Sequence, residues 1–141
     1  FFNKGNMDGG WQYLEVAPTD QSTSSQWGCY GTSIPGTSFL VGAGENNTNL
    51  IMANCPSAPA AGLCANLSLG GQTDWFLPSR DEMNLIYRNL HVNGIGGLAT
   101  SYYWSSSEYE SNVAWLFGFF VGLATYDDKY DVHFVRAVRA F

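Results

Sequence analysis

Along the 141 residues, apolar positions recur at helical spacing in three stretches and approach strand-like alternation in four. The clearest helix lies between Ser79 and Gly94, where Met83, Ile86, Tyr87 and Leu90 fall at i, i+3, i+4 and i+7 and put one stripe toward a core. Ser79 and Glu82 read as a capping box at its start, Asp81 and Glu82 suit the positive end of the helix dipole, and Gly94 is its natural terminator. Residues 47–54 place Leu50, Ile51 and Cys55 on one face. Residues 59–69 do the same with Ala60, Leu63, Cys64 and Leu67. Pro56 separates these two short helices and Gly70-Gly71 stops the second.

The strand-like stretches are 11–16, 102–106, 113–121 and 132–141. In the first, Trp11, Tyr13 and Glu15 oppose Leu14 and Val16, and Pro18 ends the run. In the last, Phe134, Arg136, Val138 and Ala140 oppose Val135, Ala137, Arg139 and Phe141. Residues 74–78 form a short buried strand or link. Residues 19–44 are rich in Ser, Thr and Gly, with Trp27, Tyr30, Ile34 and Phe39 as isolated anchors, and read as a long packed loop. Two or three helices packed on a twisted antiparallel sheet, an α+β architecture, is the expectation.

One window resists this reading. Residues 116–134, LFGFFVGLATYDDKYDVHF, follow no clean period although both flanks do. They hold no Gln, Glu, Met or Trp and a single Lys, Lys129, whereas these five types fill 18 of the 115 residues before it. The same five are the residues that a codon ending in a pyrimidine cannot encode. At the preceding rate, one or none in nineteen arises by chance roughly one time in six, so the bias alone decides nothing. A short apolar run such as Leu116–Val121 is also what a strand buried on both faces looks like, and alternate residues inside and outside is the intermediate case.

Composition narrows the function classes. An apolar fraction of 45% and an aromatic fraction of 16% suit one domain spanning residues 1–141. Net charge is −6, and Lys4, Arg80, Arg88, Lys129, Arg136 and Arg139 are scattered, so the counterion-release term behind nucleic-acid affinity has no basic patch to act through. The longest strongly apolar run, residues 114–122, falls far below the ~20 residues of a membrane-spanning helix. The chain opens on Phe1 without an initiator Met, which fits a fragment or the loss of an upstream segment.

Cys29, Cys55 and Cys64 leave at least one thiol unpaired. Cys55 and Cys64 are close enough in sequence to bridge across a turn, but buried free thiols are the expectation, and the spacing is no metal-ligand signature. Ser105, Ser106 and Ser107 beside Glu108 have no nucleophile elbow, neither His91 nor His133 has a motif around it, and Asp81 with Glu82 reads as helix capping. The Asp127, Asp128 and Asp131 cluster lacks a calcium-loop pattern, and the triplets that mark calcium-dependent sugar-binding lectins are missing. No enzyme activity, metal or cofactor is expected.

The run from Gly70 to Tyr87, GGQTDWFLPSRDEMNLIY, is followed by YWSSSE from Tyr103 to Glu108, Ala114-Trp115, Phe119, Gly122, Lys129 and VRAVRAF from Val135 to Phe141. Together with YLEVAP from Tyr13 to Pro18 and WGCYG from Trp27 to Gly31, these residues resemble the C-terminal domain family of bacterial collagen-like adhesins. The resemblance implies a C-type-lectin-like fold of the formylglycine-generating-enzyme subtype. It also implies kinship with the variable proteins of diversity-generating retroelements, found in phages and gut bacteria, in which adenine-directed mutagenesis rewrites positions near the C-terminus. The enzymes of that subtype use cysteines late in the domain, and all three here precede residue 65.

On that resemblance the variable region spans residues 113–134. Leu116, Phe117, Gly118, Phe120, Val121, Leu123, Tyr126, Asp127, Asp128, Tyr130, Asp131, Val132 and His133 are the expected diversified, ligand-binding positions. Trp115, Phe119, Gly122 and Lys129 are the expected fixed framework. Phe117, Phe120, Tyr126, Tyr130 and His133 would anchor a partner, because rings offer large contact area with few rotatable bonds. The three aspartates would favour basic or hydrogen-bond-donating groups. The partner expected is a protein or glycan on a cell surface, and the location is extracellular, on a cell or a virion. An invariant adhesin-like domain or a phage structural or assembly piece is the alternative, since exposed Phe117 and Phe120 serve an oligomer interface equally well.

Overall fold

The computed structural model describes all 141 residues. In chain order it contains β1 (Phe2–Asn3), β2 (Tyr13–Val16), β3 (Ser22–Gln26), α1 (Gly44–Asn54), α2 (Pro59–Ala65), α3 (Arg80–Asn89), β4 (Tyr102–Glu110), β5 (Val113–Gly118), β6 (Leu123–Asp128), β7 (Val132–Val135) and β8 (Val138–Ala140). The strands form two sheets, of order β1-β2-β8 and β3-β7-β4-β5-β6. Neighbours are antiparallel except β4 and β7, which run parallel at Tyr103 and Phe134. The α+β class is as expected, on a C-type-lectin-like scaffold. The single antiparallel sheet of the expectation is replaced by two sheets, one of them mixed.

The reason lies in the last expected strand. Residues 132–141 break at Arg136 and Ala137, and the halves join different sheets. Arg136 is 1% exposed. Its guanidinium donates to the carbonyls of Ala17, Gly96 and Gly97 and pairs with Asp20 at 2.7 Å. A buried cation with this many partners is satisfied only if the backbone turns around it, and that turn carries the chain from one sheet to the other.

Helix α3 forms as its sequence requires. The Ser79 hydroxyl accepts from Glu82 N at 3.3 Å and the Glu82 carboxylate accepts from Ser79 N at 2.7 Å, closing the capping box. The α-helix ends at Asn89 with Leu90 as its cap, and a 3-10 turn at His91–Asn93 carries the chain on to Gly94, which adopts φ +69. Burial raises the Glu82 carboxyl above its ordinary range, opposed by hydrogen bonds from the backbone of Ser79, Gly42 and Gly44. Its reach also explains why α1 starts at Gly44, three residues before the expected Asn47. A Cβ on Gly44 would sit 2.3 Å from the Glu82 carboxylate, so only glycine fits there.

Two apolar clusters flank the larger sheet. On one side α1 and α2 bring Ile51, Ala60, Ala61 and Cys64 to Trp27, Trp104, Leu116 and Val135. On the other, Met83 and Ile86 of α3 meet Leu14, Tyr103, Phe117, Phe119 and Val138. The serine-rich loop hides β3, whose polar residues give no alternation. It is fixed by Trp104 Nε1 donating to Ser25 O and Trp27 Nε1 to Ser105 O, both at 2.8 Å.

The cysteine expectation is corrected. Cys29 and Cys55 form a disulfide, with Cα atoms 6.1 Å apart across 26 residues of chain. Cys29 sits in a tight left-handed bend, φ +60, and Cys55 caps α1, so the folded backbone brings together what sequence distance separates. Cys64 alone remains a buried free thiol, and burial pushes its pKa well up.

Candidate functional site

The 116–134 window divides into a buried part and an exposed part. Strand β5 pairs with β4 on one side and β6 on the other. Helix α3 covers its Phe117 face, while Leu116 on the opposite face belongs to the cluster under α1 and α2. Leu116, Phe117, Gly118 and Phe119 are consequently all buried. The expectation that Leu116, Phe117 and Gly118 are displayed for ligand contact is corrected, as is the alternation of inside and outside residues here. Both faces of this strand are covered, which is why it reads as an unbroken apolar run. Gly118 is confined as well, because a Cβ there would meet the Tyr102 ring at 2.9 Å.

The β5–β6 hairpin then carries the chain outward. Phe120 and Val121 at its tip and Leu123 at the start of β6 are 51–65% exposed. Gly122 between them takes φ +70, and a Cβ on it would lie 2.6 Å from the Tyr87 ring of α3. The tip is thereby held close against α3 by a position where only glycine fits.

Lys129 anchors the other end. It is fully buried, with its ammonium 2.6 Å from Glu108, 3.0 Å from the Thr32 carbonyl and 4.6 Å above the Trp27 ring. Its backbone N–H donates to Asn112 O and its carbonyl accepts from Gly28 N. Removing one partner of a buried, hydrogen-bonded charge pair costs on the order of 3–5 kcal/mol, so this residue fixes the crossing from β6 to β7.

Register determines what the exposed residues share. Residues opposite one another in the sheet lie on one face, so Tyr102, Trp104, Leu123, Thr125, Asp127 and His133 point one way and Trp115, Ala124 and Tyr126 the other. On the first face the Tyr102 ring meets Phe120 edge-on at 4.9 Å and His133 at 5.6 Å. His133 in turn meets Trp104 at 4.8 Å, and its Nε2 lies 2.8 Å from the Asp127 carboxylate. Asp127 has a lowered pKa: burial pushes it up, and this is outweighed by hydrogen bonds from the His133 ring, the Asp128 backbone and the Asp131 side chain, with the His133 charge adding to them. The Asp131 carboxyl is raised by desolvation and by the Asp127 charge.

On the second face Tyr126 stacks on Tyr109, centroids 4.6 Å apart at 12°, and both meet Trp115 edge-on. Arg80 lies 5.0 Å above the Trp115 ring and 4.1 Å above Phe39. At the end of the sheet Tyr130 meets Tyr30 at 4.9 Å beside exposed Val132.

Of the thirteen expected positions, ten therefore lie at least partly on the surface: Phe120, Val121, Leu123, Tyr126, Asp127, Asp128, Tyr130, Asp131, Val132 and His133. They are spread over two faces and the edge between them. Tyr30, Tyr102 and Tyr109 were missed, although each contacts a window aromatic. Their signal was present as unpaired aromatics in polar stretches, but nothing local ties such residues to a window far along the chain. The serines weighed as nucleophiles are structural: Ser105 Oγ donates to Trp115 O, Ser107 Oγ donates to Ser38 O, and Ser106 Oγ accepts from Asn47 Nδ2.

Fold and surface together define a C-type-lectin-like domain with a buried framework and an exposed region rich in aromatic and acidic side chains. The family model described as Lcl C-terminal domain matches residues 17–139. The chain belongs to that family. None of the curated proteins compared with the chain matches it.

Proposed function

We propose that this domain is a non-enzymatic recognition module whose partner is a protein or glycan on a cell surface, with the exposed positions of the 116–134 window diversified by a retroelement. The observation that carries this reading is the split within the window. Phe119, Gly122 and Lys129 are locked by packing or charge, while Phe120, Val121, Leu123, Tyr126, Tyr130 and Val132 between and after them are about half exposed or more. Side chains that touch few framework atoms change without unfolding the scaffold, which is what a display surface requires. Exposed Tyr and Phe also supply contact area at low entropic cost. Among the ten surface positions, Tyr, Asp and His answer to pyrimidine-ending codons, in agreement with the codon-class bias.

The Cys29–Cys55 disulfide favours a location outside a reducing cytoplasm, on a cell or a virion. The test is deep sequencing of the gene's 3′ end across the source population. Variation confined to the ten surface positions, with Leu116, Phe117, Gly118, Phe119, Gly122 and Lys129 constant, is the expected result. An invariant window would replace diversified display with a fixed adhesin-like or assembly role.

A further inference from the structure

The larger sheet ends at β6, whose outer side has no strand partner. Its inner side bonds to β5 in unbroken register from Leu123 to Asp128. Just past β6, Lys129 N donates inward to Asn112 O, whereas Asp128 points the other way: its N–H is taken by the Asp127 side chain and its carbonyl by Asp131 N. Because backbone groups alternate in a strand, the N–H and C=O of Ala124 and Tyr126 also point outward. These four groups are held in extended geometry by β5, on a strand with no proline, lysine or bulge to blunt it.

We propose that the open edge of β6 binds an extended, lysine- or arginine-bearing segment of a partner protein by strand addition. This deepens the reading of the window as a recognition surface and rests on it. Main-chain pairing to Ala124 and Tyr126 supplies the docking geometry, and the flanking side chains supply selectivity. Alternate side chains of the added strand would lie over Tyr126 and Ala124 on one face and over Leu123, Thr125 and Asp127 on the other.

Charge decides the occupant. Asp127, Asp128 and Asp131 crowd the far end of the edge, and Asp131 resists ionisation through desolvation and then the Asp127 and Asp128 charges, so a cation brought there relieves repulsion. Of the window's own basic groups, Lys129 is buried against Glu108 and the His133 ring pairs with Asp127, while Asp128 and Asp131 form no ion pair. A second copy of the chain would instead bring another −6 and the same aspartates.

The experiment uses the whole labelled domain and three short synthetic peptides. One alternates Lys with Thr and Val, one carries Glu in place of Lys, and one is the Lys peptide N-methylated at alternate residues. Amide exchange is followed by NMR. The expected result is exchange at Ala124 and Tyr126 slowed about tenfold by the Lys peptide, with affinity about tenfold above the Glu peptide and none for the N-methylated one. Equal binding of the N-methylated peptide would show side-chain attraction without strand pairing and overturn the proposal. So would unchanged exchange with every peptide, or protection without peptide accompanied by a dimer in sedimentation equilibrium. The outcome is separable from that of diversified display: an invariant window with protected Ala124 and Tyr126 removes display and keeps the edge, and a variable window without protection does the reverse.

Discussion

Leu116–Phe119 and Phe120–Tyr130 are adjacent, similarly apolar at their junction, and opposite in what the fold asks of them. The first segment is enclosed between two clusters and contributes to both. The second turns back at Gly122, runs as β6 along the free edge of the sheet, and exposes most of its large side chains. Hydrophobicity cannot separate the two, because Phe117 and Phe120 are the same residue type three positions apart. What separates them is the covering: α3 lies over Phe117, whereas Phe120 sits at the hairpin tip and turns to the opposite face, against Tyr102. The lesson is that exposure in this window follows from which face a side chain takes and what covers that face, not from residue type.

The comparison breaks most severely at its buried anchor. Lys129→Ala leaves the Glu108 carboxylate, 9% exposed at its side chain, without its cation. The expected loss is about 3–5 kcal/mol in urea unfolding, the penalty for an uncompensated buried charge. Phe117→Ala should cost a similar ~3–5 kcal/mol through the cavity left against Tyr87 and Phe119. A loss below about 1 kcal/mol for either would place that residue with the display set.

Gly122→Ala comes next, with about 1–3 kcal/mol expected from the left-handed backbone and the contact with the Tyr87 ring. The double change Gly122→Ala with Tyr87→Ala sharpens the point. Relief of the clash should make the pair cost less than the sum of the two single changes, leaving the backbone penalty visible.

The helices, the capping box and the framework residues were legible because each is specified by local spacing. Ser79 and Glu82 lie within one turn, and Phe119, Gly122 and Lys129 lie within the residues that the family model matches. The rest depends on contacts that no local pattern encodes. Strand β3 is polar because its side chains face solvent or bond to their own backbone, as Ser22 Oγ does to Ser24 N. The Cys29–Cys55 bridge needs a left-handed bend at Cys29. Strand β6 was invisible because an edge strand with an exposed acidic end carries neither alternation nor an apolar run. Leu116, Phe117 and Gly118 are buried rather than exposed because both faces of β5 are covered, which no local pattern in an apolar run distinguishes from a hairpin tip such as Phe120-Val121.

A titration sharpens the wall of the buried segment. Tyr103 packs against Phe119 at 4.8 Å and its hydroxyl bonds to Asp20, while Ala99 N donates to it. Burial, with the Asp20 charge added, pushes its pKa up to about 12 from 10.0. The folded state thus holds the proton more tightly than the unfolded chain. Its contribution to stability is in place below pH 10 and is lost as pH rises from 10 toward 12, because the unfolded phenol ionises first. Absorbance at 295 nm should show one of the eight tyrosines titrating last, and Tyr103→Phe should remove that step.

The smallest effect expected is the one the display reading most needs. Phe120→Ala, Tyr126→Ala and Tyr130→Ala remove rings that are 49–52% exposed and that meet other exposed or half-buried rings. Each should change unfolding stability by no more than about 1 kcal/mol, since half the ring already faces water and its aromatic contact contributes only a fraction of that. Tyr126 is the strictest case, because its ring stacks on Tyr109 and edges Trp115. If Tyr126→Ala cost as much as Phe117→Ala, the aromatic cluster on that face would be part of the core that happens to be wet. A near-zero cost leaves those rings free for contact with something outside the chain.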